Sequence, residues 1–434
     1  MPERLIARAL AGRVDPAALF LALEATCSDV FWLDAGADAG QGWSYVGTGV
    51  PDAPPTGVRL DRRRAGELSG PPFRDGWVGW NDYEGGAARA GAPAARADGD
   101  GWMRVTRMAA IDHVTGRAWA VAAGEALDDW QAFVAAPHPS ASVPPLRRDV
   151  LVAHARHTPD EYAGMVERCR DLIRAGIAYQ LCLTTRFTVP GEHDAVAAYL
   201  RLRTATPAHH GGFVRIGDRA LLSASPEQFL HASDGVVRTR PIKGTRPRGR
   251  DGGEDAALAA ELRDDVKERA ENVMIVDLMR NDLSRVCEPG SIRVDGLWEV
   301  ETYPAVHQLV STVSGVVAPG TRVGDLLDAA FPAGSMTGAP KLSAMTRLYE
   351  LEGGARGVYA GCFGYVGDDG VLDLAMVIRS AVVERDRAWV GAGGGITWRS
   401  VATAEVAEVA TKARAPLAAL GAEMPRGWAS DILN

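Results

Sequence analysis

The chain's pattern of apolar runs predicts an α+β fold. Three observations carry that expectation. Short strand-like runs separated by turns fill the first third of the sequence. Long helical stretches appear only further on, and strand-like runs return between them. The two kinds of element therefore mix without the strand–helix–strand rhythm of a doubly wound sheet. With 434 residues the chain exceeds a typical single core, which implies two or three domains.

In chain order, DVFWLDAG, WSYVG, GWVGW, MRVTRMAAIDH and RAWAVAAG read as strands. Two stretches read as loose connections: GGAARAGAPAARADGDG at 85–101 and the proline-rich AAPHPSASVPPLRRD at 135–149. The second divides the chain into regions 1–145 and 150–425. A helix then starts cleanly. Thr158 can cap it, Pro159 suits its first position, and Glu161 completes a capping box. Met165, Cys169, Leu172 and Ile173 share one face, and Gly176 ends the helix before the alternating strand AYQLCLTTRFTV. A second long helix is expected from Asp255 through Leu283, and a third from about Thr403. HQLVSTVSGVV, GVYAGCFGYVG, LDLAMVIRSAVVE and RAWVGAGGGIT read as further strands.

Composition narrows the function classes. A net charge of −8 argues against a general nucleic-acid partner. The arginines of RPIKGTRPRGR, residues 240–250, are then a local feature suited to a small anion. Five scattered cysteines without a CxxC pair argue against a zinc site or a disulfide framework. With no secretory signal pattern and no apolar run of membrane-spanning length, the expected setting is cytoplasmic, without a membrane partner.

Several residues can carry chemistry. Glu268 and Glu271 lie three apart on one helix, and Glu405 and Glu408 repeat the spacing on another. Together they can form an oxygen cage for a hard divalent cation, or merely two solvated faces with pairs such as Glu408–Lys412. The run GAGGGI at 391–396 can bring backbone N–H groups to an anion, or simply form a tight turn; it does not open a helix, so it is no dinucleotide fingerprint. Lys243 has Arg240 and Arg246 close in sequence, so like charges can depress its pKa and make it a nucleophile; the alternative is a loop that binds anions by charge alone. Glu227, just past the strand RALLSAS, can act as an acid or base, or be a solvated turn residue. The histidines form no pattern with a GxSxG serine, and Gly361-Cys362-Phe363-Gly364 reads as core strand.

Taken in order, YQLCLTTRF, ASPEQFL, RPIKGTRPRG, ERAENVMIVDLMRNDLSRVCEPGS, HQLVSTVSG, FPAGSMTGAPKLSAM, RGVYAGCFGY and GAGGGI resemble the chorismate-utilising enzymes. That group includes the large subunits of anthranilate synthase and 4-amino-4-deoxychorismate synthase, and the isochorismate and salicylate synthases. The resemblance covers residues 155–420, and FWLDAG and GWVGWNDYE resemble the family's first domain. It implies an anthranilate synthase component I-like fold, two β-sheets packed together with helices outside. It also implies that the dicarboxylate chorismate binds through Mg²⁺. Glu271 and Glu408 then match the metal ligands, with Glu268 and Glu405 as second carboxylates beside them. Tyr359 and Arg379 match binders of the enolpyruvyl carboxylate. Gly393 and Gly395 match backbone contacts to substrate, Gly244 and Thr245 match its PIxGT loop, and Glu227 matches the acid/base that helps the ring hydroxyl leave.

Two positions choose within the family. Where the water-using members carry a lysine base, this chain has Gln180, which the resemblance places among the substrate-binding residues. Where anthranilate synthases usually read PIAGT or PLAGT, it reads PIKGT, like the 4-amino-4-deoxychorismate synthases, in which that lysine attacks the ring and ammonia then displaces it. Anthranilate synthesis is the alternative. No stretch of amidotransferase type occurs before Asn434, so a separate glutamine amidotransferase subunit, or free ammonia, is the implied nitrogen source. Departures from the family pattern are Gln308 before LVST, Ser400-Val401-Ala402 after the glycine run, and Pro416, expected to interrupt the last helix.

Overall fold

The structure is a computed structural model that describes residues 3–37, 39–61, 70–96, 99–146, 151–303 and 306–428. Among the described residues, twenty strands join in one hydrogen-bonded network, with mixed helices around it. The network is two sheets that share a pair of long strands, Trp43–Asp52 and Gly101–Asp112. From Trp43–Asp52 one sheet continues through Val30–Asp34, His210–Ile216, Arg219–Ser225, Ser380–Val383 and Arg387–Ile396 to Gln180–Pro190. From Gly101–Asp112 the other continues through Gly76–Asn81, Cys362–Gly367, Leu372–Met376, Gln228–Ser233 and Val236–Thr239 to Val306–Val316, which also pairs Ile242–Pro247 and Arg293–Thr302. Both sheets thus interleave strands from before and after residue 146.

Strand periodicity explains the layering. Val30–Asp34 is buried along its whole length, as a strand covered on both faces should be. Its alternate residues part company. Phe31 and Leu33 join a core cluster drawn from both sheets, with Val78, Trp80, Phe363 and Leu374. Val30 and Trp32 join a second cluster that packs the first sheet against helices, through Phe20, Tyr162, Val409 and Leu417. Among the described residues no helix is long and apolar enough to cross a membrane.

The capping box at Thr158 and Glu161 forms as expected, and the helix Pro159–Arg174 follows it. Other expectations are corrected. The loop expected from residue 85 begins inside a helix, Tyr83–Arg89. Residues 97–98 of that stretch, and 147–149 of the second connection, lie outside the described residues. Pro416 does not interrupt the last helix, which runs Ala402–Ala419 with the proline inside it. Val409, Ala410, Ala413, Pro416 and Leu417 are all buried there, and that packing outweighs one lost backbone bond.

The long helix expected over 255–283 is two helices, Gly252–Asp264 and Val266–Ser284. Asp265 between them is extended, with φ −64° and ψ 110°, and its carboxylate accepts hydrogen bonds from the backbone N–H groups of Lys267 and Glu268. A fresh N-cap therefore starts a new helix one turn before the Glu268–Glu271 pair. Asp265→Ala is expected to lower stability by about 1 kcal/mol, the usual worth of such a cap, which thermal or urea unfolding can measure.

Candidate active site

A cavity of about 390 Å³ opens between the glycine-rich strand, the 242–247 strand and the two glutamate-bearing helices. Of the sequence-predicted residues, Glu227, Lys243, Gly244, Thr245, Glu268, Glu271, Tyr359, Arg379, Gly393, Gly395, Glu405 and Glu408 all line it. Gln180 does not. A separate, larger cleft of about 640 Å³, walled by Asp34, Trp43, His209, Tyr303 and Asp373, holds none of these residues.

Lys243 reaches the cavity through an irregularity in its strand. Lys243 pairs with Leu309 and Thr245 with Gln308, so Gly244 is the extra residue of a bulge. Its φ of +73° is in the left-handed region that favours glycine. A Cβ there would also come within 3.0 Å of the Glu268 side chain. Gly244 thus both turns the strand and lets the loop approach the carboxylate helix.

The charge around Lys243 is not what sequence proximity suggests. Arg240 pairs with Glu301, and Arg246 with Glu261 at 2.9 Å and Asp265 at 3.0 Å. Arg248 pairs with Asp255 at 2.7 Å and Arg250 with Glu254 at 2.9 Å. Each of the four guanidiniums is thereby paired with a carboxylate rather than massed against the lysine. Lys243 instead faces acids: its charge pulls down the pKa of both Glu227 and Glu408.

Glu227 is buried at the end of Arg219–Ser225. Burial pushes its pKa up to about 7, against the opposing pull of Lys243, a hydrogen bond from Ser335 Oγ at 3.2 Å, and Lys412. The solvated-turn reading is excluded by that burial.

The glutamate pairs line the cavity rather than an open helix face: Glu405 is buried, Glu268 and Glu271 are half-buried, and Glu408 is exposed at the rim. Burial, and then the neighbouring Glu271 charge, raise the pKa of Glu268. Burial raises that of Glu405, opposed by a hydrogen bond from Ser400 and reinforced by the Glu408 charge. Loss of water contact works against the Glu408 charge too, but Lys412, with Lys243 and Lys267, outweighs it and holds the group below its ordinary value. Carboxylate oxygens crowded in this way are the donor chemistry of a hard cation such as Mg²⁺. They are not already gathered into a ligand shell: among the described residues no three His, Cys, Asp or Glu side chains converge as a metal cluster. Glu408 is instead bonded to Lys412 at 2.6 Å, and Glu271 lies 3.9 Å from Lys267.

The run GAGGGI is neither a turn nor a nucleotide loop. It lies inside the strand Arg387–Ile396, paired with Gln180–Pro190. Its glycines clear room for neighbours. A Cβ on Gly391 would sit 2.1 Å from the Tyr359 ring, one on Gly394 3.0 Å from a Glu405 oxygen, and one on Gly395 2.6 Å from the Gln180 amide nitrogen. Gln180 is thus packed behind Gly395, buried, with neither amide atom bonded to the protein.

Tyr359 and Arg379 are presented by interruptions in strands expected to be continuous. GVYAGCFGYVG is a strand only over Cys362–Gly367, and LDLAMVIRSAVVE breaks between Leu372–Met376 and Ser380–Val383. Arg379, with φ +52°, sits in that break, and burial lowers its pKa against the pull of Tyr359 and Glu408.

Sequence reasoning missed Ser335, Lys267 and the cavity role of Lys412. Lys412 bonds the Gly393 carbonyl at 2.8 Å as well as Glu408, so its i,i+4 spacing from Glu408 was the available signal. Ser335 carried none.

A lysine, a buried acid and two carboxylate pairs around a small polar cavity define an enzyme for a small anionic substrate. The family model described as chorismate binding enzyme matches residues 53–418, and the chain belongs to that family. It is 40% identical to the aminodeoxychorismate synthase of Streptomyces pristinaespiralis, over 99% of this chain and 67% of that relative. It spans 50% and 57% of two other relatives that carry aminodeoxychorismate synthase names. It is also 39% identical to anthranilate synthase component 1 of Streptomyces coelicolor, over 87% of this chain and 80% of the relative. Its fold matches the crystal structure of anthranilate synthase component I from Streptococcus pneumoniae with a TM-score of 0.74 and 30% identity, covering 96% of this chain and 92% of that one.

Proposed function

We propose that this chain is the large subunit of a 4-amino-4-deoxychorismate synthase, on the route to 4-aminobenzoate. The observation that carries this reading is Lys243, aimed by the Gly244 bulge into the same cavity as the buried Glu227. Once deprotonated, the Lys243 amine bonds to a ring carbon as the bond to the ring hydroxyl breaks; Glu227 gives its proton to the hydroxyl, which leaves as water, and the resulting carboxylate takes up the proton released by the new carbon–nitrogen bond. Ammonia then bonds at the carbon that lost the hydroxyl, the lysine leaves as an amine, and the ring diene is restored. Splitting one hard displacement into two easier ones is the purpose of such a covalent step.

Tyr359 and Arg379 bind the enolpyruvyl carboxylate in this reading, and the Thr245 hydroxyl and the Gly393 and Gly395 backbone hold the ring. Glu271 and Glu408, with Glu268 and Glu405 beside them, would hold Mg²⁺, whose bound charge supplies Lewis-acid polarisation of the ring carboxylate. Glutamine-derived ammonia from a separate amidotransferase subunit is the nitrogen source, with free ammonium as a substitute at raised pH.

The test is to incubate the purified chain with chorismate, Mg²⁺ and ammonium and to identify the product by mass. The 4-amino compound without pyruvate is expected. Fluorescent anthranilate with stoichiometric pyruvate would replace this reading with the anthranilate synthase one. Chelating the metal is expected to stop turnover in either case, and added Mg²⁺ to restore it.

A further inference from the structure

Among the described residues, the Ser335 hydroxyl is the one group that hydrogen-bonds the Glu227 carboxyl, at 3.2 Å. Ser335 sits in a single 3-10 turn, Gly334–Met336, which has no side-chain cap of its own. The Met336 N–H and the Thr337 hydroxyl close the turn on the Ala333 carbonyl, at 3.0 and 3.1 Å, and Arg356 ties it to the layer behind the cavity wall. Arg356 is fully buried, and its guanidinium is almost saturated with partners. Nη1 donates to the Met336 carbonyl at 2.6 Å, and Nη2 to the Cys182 carbonyl at 2.8 Å. Nε and Nη2 grip Glu352 at 2.8 and 2.6 Å, and the guanidinium lies 4.2 Å over the Tyr83 ring. Glu352 in turn accepts the Thr184 N–H at 2.9 Å. The backbone N–H groups of Arg356 and Gly357 donate to the two oxygens of Glu84, at 2.6 and 2.9 Å.

Met336 and Cys182 both line the cavity, and Tyr359 follows Arg356 by three residues. One planar fork therefore sets the spacing of three wall segments. A lysine in its place has no second arm with which to hold two carbonyls and a carboxylate at once.

We propose that Arg356 is a positioning residue for the acid: through the Met336 carbonyl it holds Ser335 against Glu227. This rests on the reading of Glu227 as the proton donor. A hydroxyl that donates to a carboxylate favours its ionised form, so loosening Ser335 makes Glu227 a weaker acid. Lys243 and Lys412 are the charged groups that bear on Glu227 in the same direction; Arg246, Lys267, Arg379 and the two glutamate pairs complete the cavity's charges.

The limb of the kcat/KM profile for chorismate that breaks nearest pH 7, measured at constant free ammonia, tests this. In Ser335→Ala the limb is expected to move up by about half to one pH unit. Arg356→Lys is expected to move it in the same direction, and the double variant no further than Ser335→Ala alone, since both act through one contact. Glu352→Gln, which weakens the grip on Arg356 while keeping its shape, serves the same purpose if Arg356→Lys does not fold. Glu227→Gln separates the two layers. If it retains the limb, the reading of Glu227 as the acid is wrong. If it removes the limb while the Arg356→Lys or Glu352→Gln limb stays at the wild-type pH, that reading stands and the positioning role of Arg356 is overturned.

Discussion

Lys243→Ala is expected to lose 4-amino product formation by roughly three orders of magnitude or more, as removal of a covalent nucleophile does. Its geometry makes the test sharp. The bulge at Gly244 turns Lys243 toward Glu227 and Glu408, so it can act either as a nucleophile or as a counter-charge for a substrate dianion. Arginine separates the two roles, because its guanidinium keeps the positive charge and is not a usable nucleophile near neutrality. Under the covalent reading Lys243→Arg is as inactive as Lys243→Ala, while both still bind chorismate. In wild type without ammonia, the intact-protein mass should show a chorismate-derived adduct, and both variants should lack it. Arginine restoring a large part of the activity would reduce Lys243 to electrostatics; a wild-type rate in the alanine variant would remove it from the reaction.

Features governed by local physics were legible in the sequence. The capping box at Thr158 and the short apolar strand VFWLD depend on neighbours a few residues away. The two ExxE pairs declared a shared helix face, and the cavity uses both. What escaped is set by partners distant in the chain. The arginines near Lys243 looked like a cationic cluster, yet Arg240 finds Glu301 across 61 positions. RAWVGAGGGIT read as a strand, yet its GAGGGI end left a tight turn open, because glycine-rich runs often turn. Its glycines serve instead to admit Tyr359, Glu405 and Gln180, which no window around residue 393 contains. Asp265 was hidden for a different reason: helical residues on both sides mask a cap that restarts the helix. Ser335 and Arg356 have meaning only through Glu227 and Met336, contacts that exist once strand, turn and helix have assembled.

Glu227→Gln is expected to change activity and stability in opposite directions. Loss of the proton donor should lower chorismate amination by about two to four orders of magnitude. Stability should rise by an amount that grows from about pH 4.5 and is complete above about 7, and the sign follows from linkage. Burial raises the pKa of Glu227 from its ordinary 4.5 to about 7, so the native state holds this proton more tightly than the unfolded chain does. The carboxyl is protonated in both states below about pH 4.5 and imposes no ionisation penalty there. As pH rises from 4.5 to 7 the unfolded chain releases the proton and the folded one resists, so native stability falls. Above about 7 the penalty levels off at ~3 kcal/mol, the free-energy equivalent of that change in pKa. Glutamine has the same shape and cannot ionise, so it escapes the penalty, and the midpoint of thermal unfolding at pH 8 should exceed wild type by a few degrees, on the order expected for a chain this long. At pH 4.5 the two proteins should melt together. A glutamate kept for packing or for a structural hydrogen bond behaves otherwise: its amide variant loses stability at both pH values. A variant that is inactive yet no more stable at pH 8 than at pH 4.5, relative to wild type, would mean that Glu227 is not held protonated by its burial, and the supply of a proton to the leaving hydroxyl would have to be sought elsewhere in the cavity.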